Sequence, residues 1–233
     1  RWTDLHFLTT MLAVGPGLWF VSVLRRREPM NVNLHSASIS DLSTPLLAVP
    51  VFTESHGNAF DTVDAAMGGL PGRIAKEEEF EGKPGTTLLV RNSEGAALQR
   101  VLLVGLGALK SYKPAGYRAV SCAAVKEANK RRLSGVSCMI PDGADPVETL
   151  RFGVEGGVLG GYRYVKWLTR DVKELTCSSL NFLASDGSTL DGPVERFSAI
   201  AEGVNFARDL VNGPPSEVHP AYLADVATEI AKD

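Results

Sequence analysis

Apolar runs of strand length alternate with helical patterns along most of the chain. The runs at 32–38, 45–53, 86–91, 100–106, 136–140 and 180–184 are rich in Val, Leu and Ile and are bounded by Gly, Pro, Asn, Asp or Ser. Short continuous runs of this kind predict strands buried on both faces. Between them, 60–74, 116–133, 147–168 and 194–211 space their apolar residues by three or four and predict helices. The third places Leu150, Val154, Val158, Tyr162 and Val165 on one stripe, which has to face a sheet. It also holds Gly153, Gly156, Gly157, Gly160 and Gly161, and a glycine inside a helix costs about 1 kcal/mol relative to alanine. So many are tolerable only where a neighbouring backbone comes close or where the helix is interrupted. Strands alternating with helices predict an α/β layered domain with a mainly parallel sheet.

The two ends depart from this rhythm. Residues 7–24 are uncharged and are followed at once by Arg25, Arg26 and Arg27. At about 1.5 Å per residue the run just covers a hydrocarbon core of about 30 Å, yet Gly15, Pro16 and Gly17 sit at its centre. Basic residues that follow an apolar run, with no small-residue cleavage site, do not make a secretory signal. Three readings of 1–29 stand: a targeting or anchoring segment, a structured element, or an over-extended gene model with translation starting at Met30. At the other end, the helix at 194–211 is stopped by Asn212, Gly213, Pro214 and Pro215. A second helix begins at Pro220 and carries Leu223, Val226, Ala227 and Ile230 on one stripe. A stiff double-proline hinge between two helices predicts a connector between domains.

Composition narrows the class. The chain has 233 residues, 44% hydrophobic and 22% charged, with a net charge of −3. That length suits one large domain, or one with appendages, and the balance excludes disordered, collagenous and disulfide-stapled chains. The charge disfavours nucleic acid, which needs a clear excess of Lys and Arg on one face. Cys122, Cys138 and Cys177 are odd in number and widely spaced, so they form neither a disulfide framework nor a CxxC pair, and read as free thiols.

Candidate chemistry is sparse. His6, His35, His56 and His219 form no HExxH or other i, i+4 metal pair, and no GxSxG elbow occurs. Gly105 and Gly107 follow an apolar run, where a glycine loop can turn backbone N–H groups toward a phosphate. The loop lacks the third glycine of GxGxxG and the Lys-Ser/Thr of a P-loop, so the signal is weak and a plain strand-ending turn is the reading favoured over it. Lys126, Lys130, Arg131 and Arg132 close the second helix, where positive charge complements the helix dipole. Glu77, Glu78 and Glu79 are adjacent and do not converge on one point. Residues 80–85, FEGKPG, read as a turn before a strand.

The segment 199–233 holds ARDLVNGPP, and resembles the region of the leucyl (cytosol) aminopeptidase family that joins its N-terminal to its catalytic domain. The likeness runs through most of the chain from Met30. Residues 60–89 look like the family's helix, FxGKxG turn and strand; RVLLVGLG at 100–107 looks like the next strand and loop; RFGVEGGVLGGYRY at 151–164 looks like its EG-x-x-LG-x-YR helix. Gly213, Ser216 and His219 depart from the usual Thr, Asn and Thr, and bear only on hinge and capping geometry.

The resemblance implies a three-layer α/β/α, macrodomain-like domain with a mixed, mainly parallel sheet over 30–211. It further implies a hinge and the start of a linker helix over 212–233, and a catalytic domain absent from this chain. The full protein it implies is a cytoplasmic homo-hexameric exopeptidase that acts on peptides through that domain with two divalent metals, zinc or manganese. Such metals activate water and polarise the carbonyl. The family's NTDAEGRL signature does not occur in residues 1–233, so no catalytic, metal or cofactor residue is carried over. The expected role is assembly and active-site access, and the chain alone is expected to be inactive. Two other readings remain: a free-standing nucleotide or ADP-ribose module resting on Gly105 and Gly107, and a DNA-binding accessory domain, known for some bacterial members but opposed by the net charge. A membrane partner would require 7–24 to be a genuine segment, and an organellar or membrane-associated location would require 1–29 to be genuine.

Overall fold

The computed structural model describes residues 29–35, 39, 42–54, 56–93, 95–141, 145–170, 175–184 and 191–232. His6, the apolar run 7–24, the following arginines and the tail of the first expected strand at 36–38 lie outside them. The elements run β1 (Asn31–His35), β2 (Leu47–Phe52), α1 (Asn58–Ala66), α2 (Leu70–Glu77), β3 (Thr87–Arg91), β4 (Arg100–Gly107), α3 (Arg118–Lys130), β5 (Gly135–Met139), α4 (Pro146–Gly160), β6 (Ser179–Leu183), α5 (Asp191–Asn212) and α6 (Pro220–Ile230).

The strands form one sheet in the order β1-β6-β5-β2-β4-β3. Every pairing is parallel except β3 with β4. Alternation along β2 makes the layers. Leu46 and Ala48 pack with α3, α4 and α5 through Val120, Ala124, Leu150, Val154 and Phe197. Leu47, Val49 and Val51 pack on the opposite side with Ala59, Phe60 and Val63 of α1 and Ala75 of α2. The result is the three-layer α/β/α arrangement with a mixed, mainly parallel sheet. Each core is a continuous cluster of buried apolar residues, and burial of apolar area at about 25 cal/mol per Å² is its main stabilising term.

Three expectations need correction. The six strands are not all buried on both faces: β1 and β3 are edge strands with one neighbour each, and most of their residues are only half-buried or exposed. The helix expected over 60–74 is two helices. Gly68 and Gly69 take φ of 63° and 78°, left-handed values that end α1, and Asp64 then accepts a 2.7 Å hydrogen bond from the Gly72 N–H at the start of α2. A carboxylate there offsets the positive end of the helix dipole. The helix expected over 147–168 stops at Gly160, so Tyr162 and Val165 leave the stripe while Leu150, Val154 and Val158 stay buried on it.

The glycines of α4 are explained by close approach. A Cβ on Gly156 would lie 2.4 Å from the Arg118 carbonyl oxygen, one on Gly157 2.2 Å from Leu180 Cδ2, one on Gly153 2.6 Å from the Phe182 ring, and one on Gly160 2.7 Å from Cys122 Sγ. Helix α4 is pressed against α3 on one side and β6 on another, nearer than any side chain permits.

Candidate functional site

The carboxyl end of the parallel sheet is the ordinary place for a ligand in such a fold, at the crevice where the strand order reverses. Here β2 leads to β4 on one side and has β5 on the other, and β5 pairs with it only at Leu47 and Ala48. Pro50, two residues further on, has no N–H to leave unpaired on the open side. A cavity of about 120 Å³ opens there, lined by Pro50, Phe52, Gly57, Asn58, Leu109 and Pro141. It carries no charged side chain, and it is well short of the roughly 300–1,000 Å³ of a typical ligand pocket.

Gly105 and Gly107 do not face that cavity as a phosphate cradle. The Gly105 N–H donates to the Thr86 carbonyl and the Gly107 N–H to the Gly82 carbonyl, each at 2.9 Å. A Cβ on Gly105 would stand 2.1 Å from the Lys83 carbonyl oxygen, and one on Gly107 2.7 Å from Pro84 Cγ. Gly107 also holds φ at 78°. These glycines admit the FEGKPG turn, which lies across the end of β4, and neither N–H is left to bind an anion.

The remaining polar candidates are separate. His56 sits at φ 53° with its ring 4.9 Å from Phe60, and His219 caps α6, its Nδ1 accepting from the Tyr222 N–H at 3.2 Å. Arg131 and Lys130 both pair with Glu127, at 2.5 and 3.8 Å, which offsets part of the basic cluster. Among the described residues no group of three or more His, Cys, Asp or Glu could hold a metal, so the residues present do not fit a two-metal centre. Burial pushes the Cys138 and Tyr117 ionisations well up, and raises Cys177 to about 11. These are inert core groups; the Tyr117 hydroxyl donates to the Met139 carbonyl at 2.6 Å.

The most organised polar assembly is at the hinge. Helix α4 ends where α5 supplies its caps: Asn205 donates to the Val158 carbonyl at 3.3 Å and Arg208 to the Leu159 carbonyl at 3.2 Å. This satisfies acceptors that a helix end leaves open, and the guanidinium complements the negative end of the dipole. The chain then turns so that the Tyr162 hydroxyl donates to Asp209 at 2.8 Å and accepts from Asn212 at 3.1 Å. Arg208 lies over the same ring, 5.3 Å from its centre. Burial, and then the Asp209 carboxylate, push the Tyr162 phenol up.

Asn212, Gly213, Pro214 and Pro215 are thus fastened, not loose. The Asn212 amide also donates to the Arg208 carbonyl, the Gly213 N–H donates to the Asp209 carbonyl, and the Glu217 and Val218 N–H groups both donate to the Pro214 carbonyl. A Cβ on Gly213 would lie 2.3 Å from Val218 Cγ2, so glycine is needed for the turn to close. Lys166 pairs with Glu217 across the hinge. Sequence reasoning placed the end of α5 at Asn212, Gly213, Pro214 and Pro215 but did not anticipate the partners Tyr162 and Lys166, which lie some 50 positions away and were assigned to a helix. Nor did it expect Asn205 and Arg208 as caps. With α4 ended at its double glycine, those polar residues on a packed helix would have been the only clue.

Among the described residues no helix is long and apolar enough to cross a membrane.

Residues 48–171 match the model of the cytosol aminopeptidase family, N-terminal domain, over more than half of the chain. A probable cytosol aminopeptidase of Geobacter sp. (strain M21) is 30% identical over 205 residues, covering 87% of this chain and 42% of that protein. One from Syntrophotalea carbinolica is 32% identical over 177 residues, covering 72% and 36%. Among solved structures, a tomato leucine aminopeptidase mutant, K354E, superposes with a TM-score of 0.76 at 24% identity over 87% of this chain and 42% of its own. The bottromycin maturation enzyme BotP in complex with Mn gives 0.60 at 25% identity, over 80% and 36%. The chain spans about two fifths of the length of the curated relatives it matches.

Proposed function

Because the chain belongs to the cytosol aminopeptidase family and carries its N-terminal domain, we propose that it is the non-catalytic front part of a metal-dependent leucyl aminopeptidase. In that reading residues 30–211 are the N-terminal domain, and 212–233 are the hinge and the first turns of a linker helix. The domain serves assembly and access to an active site borne by the region through which the relatives exceed this chain. The observation that carries the reading is coverage: family likeness extends over most of this chain yet over only 42% of a full relative.

The division of labour follows from the chemistry. Hydrolysis of an N-terminal peptide bond needs groups that bind the free amine, activate water and polarise the carbonyl. The described residues bring no such set together, and their most perturbed groups are buried thiols and phenols held protonated. The two zinc or manganese ions of the proposed enzyme would therefore take their ligands from outside the described residues. What these residues do is hold position: Tyr162, Arg208, Asp209 and Asn212 fix the direction in which the chain leaves α5, and Lys166 with Glu217 fixes the start of α6. The proposed whole protein is a cytoplasmic homo-hexamer acting on peptides.

The transcript decides this reading directly. Its sequence past the codon for Asp233 is expected to encode a metal-ligand signature of the NTDAEGRL kind, and a stop codon at that point would defeat the proposal.

A further inference from the structure

Helix α5 has two apolar faces. Val194, Phe197 and Ala201 are buried in the core shared with α4 and the sheet. A second set points away from it: Ile200, Val204 and Val211 are 51%, 41% and 84% exposed, and Gly203 and Ala207 between them are exposed as well. At 3.6 residues per turn these five fall within an arc of about 100° and extend for about 17 Å along the axis. Glu195, Glu202 and Asp209 all lie on the other side of the helix, and the exposed Arg196 stands one turn before Ile200, so that between 200 and 211 the arc itself carries no charge. A face that met only water would carry charge within such an arc.

Gly203 is a separate observation. In α4 each of Gly153, Gly156, Gly157 and Gly160 would drive a Cβ to within 3 Å of a neighbour, so the helix gives up propensity where something comes close. A Cβ on Gly203 would meet nothing within 4 Å. It bears the same conformational cost with no neighbour in this domain that requires it.

We infer that the stripe Ile200, Gly203, Val204, Ala207 and Val211 seats the downstream region by which the relatives exceed this chain, packed across α5 at the Gly203 notch. The stripe runs straight into the hinge, Val211 being adjacent to Asn212. Helix α6, which leaves that hinge, buries only Tyr222 and Val226 and turns Leu223 and Ile230 outward, 44% and 59% exposed. Two apolar surfaces therefore flank the hinge, and a short tether would give a downstream region a high effective concentration at α5. A second copy of this chain would give no reason for the stripe to end at the hinge. The inference rests on the reading of this chain as the front of a longer aminopeptidase.

The test is thiol labelling at Val204→Cys in a Cys122→Ala background, in which Cys138 and Cys177 are buried. It is done with residues 1–233 and with the complete polypeptide encoded by the same gene. The variant is expected to react with a maleimide as a free thiol does in residues 1–233 and about 100-fold more slowly in the complete polypeptide. Equal rates would overturn the inference. Slow labelling of residues 1–233 that speeds up on dilution would overturn it too, by assigning the face to a second copy. Amide exchange over α5 of the unsubstituted proteins, slower in the complete polypeptide, gives the same answer without a substitution. Hydrolysis of N-terminal leucine is read separately. An active polypeptide with a freely labelled stripe keeps the functional reading and loses the docking face, and an inactive one with a protected stripe does the reverse.

Discussion

Gly105 and Gly107 show how one residue type at one spacing serves two opposite readings. A glycine pair at the end of a strand can open backbone N–H groups to a phosphate or can let another segment lie against the strand, and the FEGKPG turn decides between them, since a Cβ on Gly105 would stand 2.1 Å from the Lys83 carbonyl oxygen. Gly105→Ala is expected to destabilise the protein by about 3 kcal/mol, the upper end of ordinary overpacking, read as a lower urea midpoint with unchanged slope. An unchanged midpoint would mean the turn does not rest there. Cys177 makes a pH prediction. Burial raises its thiol from 9.0 to about 11, against a smaller opposing effect of its hydrogen bond to Ser179. Between those values the unfolded chain has lost a proton that the folded chain keeps, so stability is full below pH 9 and falls as pH rises toward 11. Denaturant midpoints measured across this window should drop, and less steeply for Cys177→Ala; parallel slopes would show that Cys177 does not contribute.

Helices divide by how their ends are determined. Helices α3, α5 and α6 were legible within three residues because Pro, Gly and Asn mark their limits in the local sequence. Helix α4 was overrun by eight residues, since its apolar spacing continues through Tyr162 and Val165 while the caps that stop it, Asn205 and Arg208, come from α5. The break between α1 and α2 was missed for the converse reason: the span 60–74 was expected as one helix, whereas Gly68 and Gly69 within it both adopt left-handed φ. The glycines of the α4 stretch were expected to mark either a close approach or an interruption, and both occur: Gly153, Gly156, Gly157 and Gly160 lie against α3 and β6, and the helix ends at Gly160. Gly156→Ala, which would meet the Arg118 carbonyl, should destabilise by about 2 kcal/mol, whereas Gly203→Ala in residues 1–233 should be neutral or stabilising by up to about 1 kcal/mol. Thermal unfolding of the two variants checks both signs. At the hinge, Tyr162→Phe removes hydrogen bonds to Asp209 and Asn212 and should cost about 1 kcal/mol. It should also speed amide exchange in α6 more than in the sheet; equal acceleration everywhere would mean the hinge is not fastened through Tyr162.

For the molecule as a whole, a layered α/β domain with a mainly parallel sheet was readable because strand-length apolar runs and helices of three-to-four spacing alternate over much of the chain, whereas the three-layer arrangement was implied by the family resemblance. What could not be read was which surfaces the domain leaves for something else, because exposure depends on the packed arrangement and not on the pattern of one helix. The picture that results is a packed α/β body whose ionisable core groups are held inert, whose exit is fastened by Tyr162, Asp209, Asn212, Lys166 and Glu217, and whose outer α5 face is apolar. The central claim is that hydrolysis belongs to the region beyond this chain. The most direct measurement is release of leucine from a leucyl peptide by purified, metal-supplemented residues 1–233 beside the complete polypeptide. The account predicts turnover by the complete polypeptide and none by residues 1–233, and turnover by residues 1–233 would contradict it.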